Sequence, residues 1–336
     1  MRSTEALPYG PGPHRIADRG IVMLIVTVDQ YSGLPNPSWH VDEETARDVL
    51  RKVARNRDVT ATEESGHQGL GFRGFELQLT DDVHAAKYGL PDRFRIANGG
   101  SGDEEKGTEI AQQLVDSMPA GETSLTGDLE LDDTVRRHIL DNLSRGTDYD
   151  PSATDAPPGA PEPPMPTEEG RRVEPGGEES GTNGRAACQY WATAFNPAFW
   201  NNDPNVRVNN NCYNYAVNRR TNTFAQPGRA HGVAISPIQC DKVIAGVLAD
   251  GARQWGNCFP AGTGGIWLMA LVVAPNYDYH WYRYSAEGFW GHKPGQTAAR
   301  NTDNDGKIVY SPYYASRAPY TNFCGYFQCA YTMTIR

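Results

Sequence analysis

A cysteine at the start of a polar segment is the sharpest chemical feature of the sequence. Cys212 follows three consecutive asparagines, residues 209–211, and precedes Tyr213 and Asn214. Asparagine is a preferred N-cap residue, so the segment predicts a helix over residues 211–219 with Cys212 in its first turn. The dipole and the free backbone N–H groups at a helix start favour a thiolate. Cys212 is therefore a candidate nucleophile, although a buried structural cysteine gives the same local pattern.

Two histidines further along the chain are candidates for a base and a group that orients it. His280 lies in the segment 278–284, which has the composition of a strand. If the chain reverses at residues 285–287, with Gly288 supplying a positive φ, His280 faces His292 on the next strand. A thiol, an imidazole packed against it and a third polar group form the set that thiol-based acyl transfer requires.

The order of these three residues resembles the NlpC/P60 branch of the papain-like superfamily. Members of this branch are cysteine peptidases and amidases that commonly act on peptidoglycan stem peptides. The resemblance implies that Cys212 is the nucleophile, His280 the base and His292 the third polar residue. Tyr190 is a candidate for the tyrosine that completes the oxyanion hole, and Asp303 is a second candidate for orienting His280. The resemblance also implies a papain-like α+β domain with helices packed on an antiparallel sheet.

The resulting functional prediction is a cysteine hydrolase that needs no cofactor. Cys212 would attack an amide carbonyl in a peptide, peptidoglycan-like or protein substrate, and His280 would protonate the leaving amine. Transfer of the thioester to an amine, or deamidation of glutamine, would instead make a transglutaminase or a toxin-like deamidase. A non-catalytic carbohydrate- or protein-binding domain is the alternative from another class. Six of the seven Trp and 13 of the 17 Tyr follow residue 187, which suits an aromatic recognition surface.

Two metal-site interpretations are weaker than the thiol interpretation. Residues 301–306 begin like a calcium-binding loop, but position 12 of that loop would be Pro312 instead of Glu. A tight Asp-Gly turn is therefore favoured there. His280, His292 and Asp303 could ligate zinc, but no HExxH-type pair fixes two ligands on one element. We expect no bound metal.

All six cysteines, at positions 188, 212, 240, 258, 324 and 329, lie in the last 150 residues. They form no CxxC pair, and Cys324 and Cys329 are close enough in sequence to suggest a bridge. The sequence begins without the charged start, apolar middle and cleavage site of a secretory signal. The default expectation is thus reduced, packed thiols. The apolar runs 21–28 and 266–274 are far shorter than the roughly 20 residues of a membrane-spanning helix. We expect no membrane segment and a cytoplasmic location or non-classical export.

Composition divides the chain into four parts. Residues 1–19 are predicted to be a disordered leader, and residues 20–146 a small acidic α+β accessory module that resembles short domains built around an SGxPNP loop. Residues 147–186 contain eight Pro, six Gly and nine acidic residues and are predicted to be a linker. Residues 187–336 would form the hydrolase domain. The net charge of −10 and the absence of basic runs argue against nucleic-acid binding.

Periodicity and capping residues predict the secondary structure of both folded parts. Helices are predicted at 42–55, 104–118, 132–143, 211–219 and 239–253, and strands at 21–28, 72–79, 92–97, 266–274, 278–284, 289–293, 307–310 and 323–334. Both parts therefore belong to the α+β class, and the second combines helices with an antiparallel meander.

Overall fold

The structure is a computed structural model that describes residues 24–62, 64–80, 86–146, 171–172, 190–260 and 263–336. The predicted leader, and the predicted linker apart from the short strand Arg171–Arg172, lie outside the described residues. No helix within these described ranges is long and apolar enough to cross a membrane.

Within its described residues, the N-terminal module combines an antiparallel sheet with three long α-helices. Its strands are β1 (Leu24–Val28), β2 (Ser38–Val41), β3 (Phe75–Leu79) and β4 (Arg93–Ile96), in the sheet order β2-β1-β3-β4. Its helices are α1 (Glu43–Arg55), α2 (Glu104–Asp116) and α3 (Asp133–Arg145). Each helix begins after an aspartate whose side chain accepts a hydrogen bond from a first-turn backbone N–H. The three predicted helices are confirmed, and strand β2 was missed.

The C-terminal domain is built on a five-stranded antiparallel sheet. After the short parallel pair β5 (Arg171–Arg172) and β6 (Tyr190–Trp191), its strands are β7 (Arg253–Gln254), β8 (Ile266–Ala274), β9 (Asp278–Tyr284), β10 (Trp290–His292) and β11 (Asn322–Ala330). The sheet order is β10-β9-β8-β11-β7. Its helices are α4 (Ala198–Asn201), α5 (Pro204–Asn209), α6 (Cys212–Ala216) and α7 (Cys240–Ala249). The mixed helix and antiparallel-sheet class predicted for the chain is confirmed.

The central strand β8 is buried along its whole length. One side of the sheet carries an apolar cluster that contains residues of α6 and α7, and the other carries a second cluster around Trp290 and Tyr320. Coverage of both faces explains why residues 266–274 are apolar without alternation.

The strand predicted at residues 307–310 is wrong. This segment contributes only an isolated bridge between Thr302 and Ile308. Asp303 accepts hydrogen bonds from the backbone N–H groups of Asp305 and Lys307 at 3.0 and 2.9 Å, so a turn consumes the donors that a strand would use. The tight Asp-Gly turn predicted here is confirmed, because Gly306 has a φ of 75°.

The cysteines differ from the expectation of reduced thiols. Cys240 of α7 is bonded to Cys324 of β11, with a Cα–Cα distance of 5.5 Å, and Cys258 is also disulfide-bonded. Cys212 and Cys329 carry no disulfide and are buried. The suggested bridge between Cys324 and Cys329 is wrong, because five residues of extended strand separate two Cα atoms by about 16 Å, well beyond disulfide reach.

The two folded parts meet along a polar seam. The backbone N–H of Ser32 donates to Asp278 at 2.5 Å, and the backbone N–H of Leu70 donates to Asn304 at 2.7 Å. A third contact joins the side-chain amide of Asn142 to the hydroxyl of Tyr277 at 2.9 Å. The N-terminal module is thus docked on the C-terminal domain by hydrogen bonds between residues more than one hundred positions apart.

Candidate functional site

The helix start predicted at Cys212 is present. Asn211 is the N-cap of α6, and its side-chain oxygen accepts from the backbone N–H groups of Tyr213 and Asn214, both at 3.1 Å. The Asn214 side chain accepts in return from the backbone N–H of Asn211 at 3.2 Å. This reciprocal capping box fixes the position of Cys212. The helix has only five residues, so its dipole is weaker than that of a longer helix.

The Cys212 thiol is enclosed by the core. Cys212 is 0% exposed, and its Sγ lies 3.9 Å from the backbone oxygen of Tyr279. It belongs to the apolar cluster that also contains Tyr213 and Trp281. Burial, reinforced by the nearby carboxylate of Asp278, raises the pKa of the Cys212 thiol well above its ordinary value. The sulfur is therefore a neutral thiol that packs as an apolar group.

His280 and His292 form a hydrogen-bonded pair. The Nε2 atom of His280 lies 2.9 Å from Nδ1 of His292, and Nε2 of His292 lies 2.8 Å from the backbone oxygen of Thr302. Burial lowers the pKa of His280 well below its ordinary value and that of His292 to about 3, so both rings are neutral. Because a carbonyl oxygen only accepts, Nε2 of the neutral His292 ring carries the proton and its Nδ1 is an acceptor, so Nε2 of His280 donates to Nδ1 of His292. This leaves Nδ1 of His280 unprotonated, and it has no hydrogen-bond partner among the described residues.

The structure confirms that the two histidines share one face of the sheet, but the predicted strand register is wrong. Tyr282, not His280, lies opposite His292 in the β9–β10 hairpin. The turn is centred one residue later than predicted, with Gly288 at a φ of 86°. A shift of two residues in the pairing keeps both histidines on one face, where diagonal neighbours are within reach of each other.

Cys212 and His280 lie against opposite faces of β9. Tyr279 and Trp281 share the apolar cluster of Cys212, whereas the His280 ring contacts Tyr282 and Tyr320 on the other face. Successive side chains of a strand alternate between its faces, so the two groups are separated by the backbone. Within the described part of the chain, no hydrogen bond or ring contact joins the Cys212 thiol to either imidazole.

The other two candidate residues also lie apart from the thiol. The Asp303 carboxylate accepts hydrogen bonds from backbone N–H groups of its own turn and from that of Ser316 at 3.1 Å. It therefore does not orient His280. Tyr190 packs edge-on against Trp255 and Tyr284, in the cluster on the His280 side of the sheet. Among the residues that the structure describes, no group of three His, Cys, Asp or Glu side chains is placed to hold a metal ion.

Sequence reasoning missed the most extensively hydrogen-bonded group near Cys212. Asp278, at the first position of β9, is 0% exposed and accepts from the backbone N–H groups of Ser32, Gly33 and Leu34 and from the hydroxyl of Tyr320. Burial raises the pKa of Asp278 to about 6, although these donors stabilise its anion. The sequence signal that could have identified Asp278 is a carboxylate at the first position of a strand that is otherwise rich in aromatic residues.

A buried lysine was missed as well. Lys293 is 0% exposed, and its Nζ donates to the backbone oxygens of Asn210 at 2.5 Å and Gly295 at 2.6 Å, with Arg207 O as a third acceptor. Burial lowers the pKa of Lys293 well below its ordinary value. Its three bonds tie together segments that flank α6 and β10, which indicates a structural role.

An ion cluster supports the docked loop from the N-terminal side. Asp29 accepts from Arg73 at 2.7 Å and from Arg95 at 2.9 Å, and Asn36 donates to it at 3.0 Å. Burial alone would raise the pKa of Asp29, but the two guanidinium groups hold it well below its ordinary value. Arg73 also donates to the backbone oxygen of Tyr31 at 2.7 Å, so the cluster fixes the residue that precedes Ser32.

A cleft of about 560 Å³ opens beside the docked loop. It is lined by Leu34 and Pro35, by residues 128–130 of the module, and by nine residues within the segment 226–238 of the C-terminal domain, among them Gln226. The cleft is mainly apolar, and Cys212, His280 and His292 are absent from its lining. It therefore does not provide an entry to the predicted catalytic residues.

Comparisons with known proteins give one clear relationship. No protein-family model matches the chain. No solved structure matches it either. Insoluble matrix shell protein 1 from Ruditapes philippinarum is 47% identical over 142 residues, which make up 42% of this chain and 93% of the relative. The relative is thus close in size to one of the two folded parts. With nearly all of that relative matched at this identity, the chain belongs to the family of insoluble matrix shell protein 1.

Proposed function

We propose that this chain is a structural component of an insoluble matrix and that its Cys212, His280 and His292 side chains serve the core of a non-catalytic domain. The observation that carries the proposal is the placement of Cys212 and His280, both 0% exposed and on opposite faces of β9. The name of the 47% identical relative, a matrix shell protein, supports the same role.

The geometry disfavours thiol catalysis for three physical reasons. A nucleophile must reach a carbonyl carbon at roughly 3 Å, which a fully buried sulfur does not do without a large rearrangement. The pKa of Cys212 is raised, so the reactive thiolate is suppressed. The nitrogen of His280 that could accept a proton lies across the strand from the sulfur.

The disulfides support an extracellular or otherwise oxidising location. The Cys240–Cys324 bond joins positions 84 residues apart, and Cys258 is also oxidised. Disulfides form and persist in oxidising environments such as the outside of the cell, which is compatible with a matrix role. By linking α7 to β11, the bridge also restrains the sheet that carries both histidines.

A set of exposed aromatic side chains offers contacts to other matrix macromolecules. Tyr310, Tyr314 and Tyr331 are 62%, 65% and 56% exposed, and Ile308, two residues before Tyr310, is 43% exposed. Tyrosine provides apolar area and a hydroxyl at low entropic cost, which suits binding surfaces. This agrees with the alternative of an aromatic protein- or carbohydrate-binding domain.

The cysteine-hydrolase function and the papain-like fold stay predictions. The observation that favours them is the chain of hydrogen bonds from His280 through His292 to the Thr302 carbonyl, which is how a catalytic base is oriented. For this chain to act on Cys212, the helix α6 and strand β9 would have to separate and expose the sulfur. Transglutaminase-like or deamidase-like chemistry has the same requirement.

Selective alkylation separates the structural proposal from the hydrolase prediction. The full chain is treated with iodoacetamide at pH 7.5, and the modified cysteines are identified by mass spectrometry. Cys329 is the matched control, because it is also buried and burial raises its pKa to about 12. We expect both thiols to stay unmodified in the folded protein and to react alike in urea. Faster labelling of Cys212 in the folded protein, slowed by His280→Ala, would overturn the structural proposal.

A further inference from the structure

The C-terminal domain binds one loop of the N-terminal module through the backbone groups of that loop. Three consecutive backbone N–H groups converge on the Asp278 carboxylate, from Ser32 at 2.5 Å, Gly33 at 3.2 Å and Leu34 at 3.0 Å. The hydroxyl of Tyr320 donates to the same carboxylate at 2.6 Å. Hydrogen bonds to a charged acceptor are stronger than neutral ones, so this carboxylate is an anchor for a tight turn.

The same loop presents its carbonyl group to a set of buried donors. The backbone oxygen of Gly33 accepts from the side-chain amides of Asn211 at 2.8 Å and Gln226 at 2.7 Å. The Tyr279 hydroxyl lies 3.3 Å from this oxygen and 2.9 Å from the Gln226 side-chain oxygen. These side chains are at most 5% exposed. Together with Asp278 they form a pocket that recognises both polar groups of a peptide backbone.

The pocket also selects the residues of the turn. A Cβ atom on Gly33 would lie 2.5 Å from the Tyr279 ring, so the central position accepts only glycine without a shift of that ring. Leu34 packs against the apolar cluster of the C-terminal domain, and Leu34 and Pro35 line the 560 Å³ cleft. The occupant is therefore a Ser-Gly-Leu-Pro turn, which we call the docking turn.

We propose that this pocket is a receptor for the docking turn and that a second copy of the chain can supply the turn, linking chains head to tail by exchange of their N-terminal modules. Every chain carries both the turn and the pocket, so the contact is heterologous and can propagate. The assembly role rests on the proposed matrix function, whereas the pocket rests on its geometry alone.

The opposite net charges of the two folded parts support exchange between copies. Residues 24–146 contain 23 acidic and 13 basic residues, a net charge of −10, whereas residues 190–336 contain 12 basic and 7 acidic residues, a net charge of +5. Opposite net charges favour encounter of a module with the domain of another chain.

The test uses the folded full chain with a protease site introduced into the predicted linker. After cleavage, two preparations with different affinity tags are mixed, and exchange of their N-terminal parts is followed by native mass spectrometry. We expect the parts to remain bound and to exchange between copies. Parts that stay together without exchanging would overturn the assembly proposal.

Two substitutions on opposite sides of the contact test the pocket. Gly33→Ala and Asp278→Ala should each weaken the binding of the cleaved parts on the order of 100-fold, because each disrupts several buried hydrogen bonds. Arg229→Ala is the matched control: its 3.8 Å ion pair with the exposed Asp128 also crosses the seam, and we expect less than a threefold change. Unchanged binding in both test variants would contradict the proposal that this pocket binds the docking turn. Gly33→Ala leaves the C-terminal part unaltered, so the test does not depend on folding of the Asp278 variant, and neither result depends on Cys212 labelling.

Discussion

Asp278 and His280 are two residues apart on the same face of β9, and both are fully buried, yet their surroundings differ. Asp278 accepts four hydrogen bonds, three of them from a loop that is more than 240 residues away in sequence. Among the described residues, the His280 side chain makes one hydrogen bond, to His292, and its Nδ1 has no partner. The difference indicates that the strongest polar link of this strand is at its Asp278 end, where it joins the two folded parts. The histidines, which attracted the catalytic prediction, make local contacts.

The largest expected effect follows from removing the Asp278 carboxylate, which accepts more hydrogen bonds than the His280 side chain makes. Asp278→Ala leaves three backbone N–H groups and a tyrosine hydroxyl without their acceptor in a buried site. We expect the free energy of unfolding to fall by about 3–5 kcal/mol, as measured by urea denaturation. Asp305→Ala is the control, because Asp305 is exposed, and surface substitutions change stability by no more than about 0.5 kcal/mol. A loss below about 1 kcal/mol for Asp278→Ala would show that the seam contributes little stability.

Acid should destabilise the protein through the histidines, and Asp278 should oppose this. The pKa of His292 falls from 6.5 unfolded to about 3 folded, and that of His280 is also lowered, so below pH 6.5 the unfolded chain binds more protons. Each histidine then removes about 1.4 kcal/mol of stability per pH unit as the pH falls. The pKa of Asp278 is raised from 3.8 to about 6, so between these values the folded state takes up a proton and gains stability as the pH falls.

Variants sharpen this comparison by changing the slope of stability against pH. Between pH 6 and 4, His292→Gln should reduce the acid loss by about 1.4 kcal/mol per pH unit relative to the wild type. Asp278→Ala should make the acid loss steeper by a similar amount, because the opposing proton uptake is removed. Urea denaturation at pH 7, 6, 5 and 4 measures both slopes. Equal slopes in all three proteins would mean that these groups titrate alike in the folded and unfolded states.

The smallest expected effect concerns the cysteine. Cys212→Ala removes one buried sulfur atom from an apolar cluster and should lower the free energy of unfolding by about 1–2 kcal/mol. Cys329→Ala should have a similar effect, since both thiols are buried and neither is disulfide-bonded. Thermal and urea unfolding of the two variants measure the difference. A Cys212→Ala protein that is more stable than the wild type would indicate a strained, functional site and would favour the hydrolase prediction.

Local sequence patterns were sufficient to predict most elements and some of the site geometry. The Asp42 cap of α1 and the asparagine cap of α6 placed these two helix starts within one residue, because capping depends on neighbours three residues apart. Helical spacing placed the starts of α2 and α3 within one residue. The side-chain period of two placed His280 and His292 on one face even though the turn was misplaced. Glycine at 288 correctly marked the reversal between their strands.

The sequence by itself determined the mixed helix and sheet class, the helix start at Cys212 and the shared face of the two histidines. Only the tertiary structure decided that α6 packs on the Tyr279 face of β9, which separates Cys212 from His280. Alternation along a strand states which side chains share a face, but which face a helix covers depends on distant packing. The docking of Ser32–Leu34 on Asp278 and the Cys240–Cys324 bond are likewise contacts between distant residues, and no local periodicity encodes them.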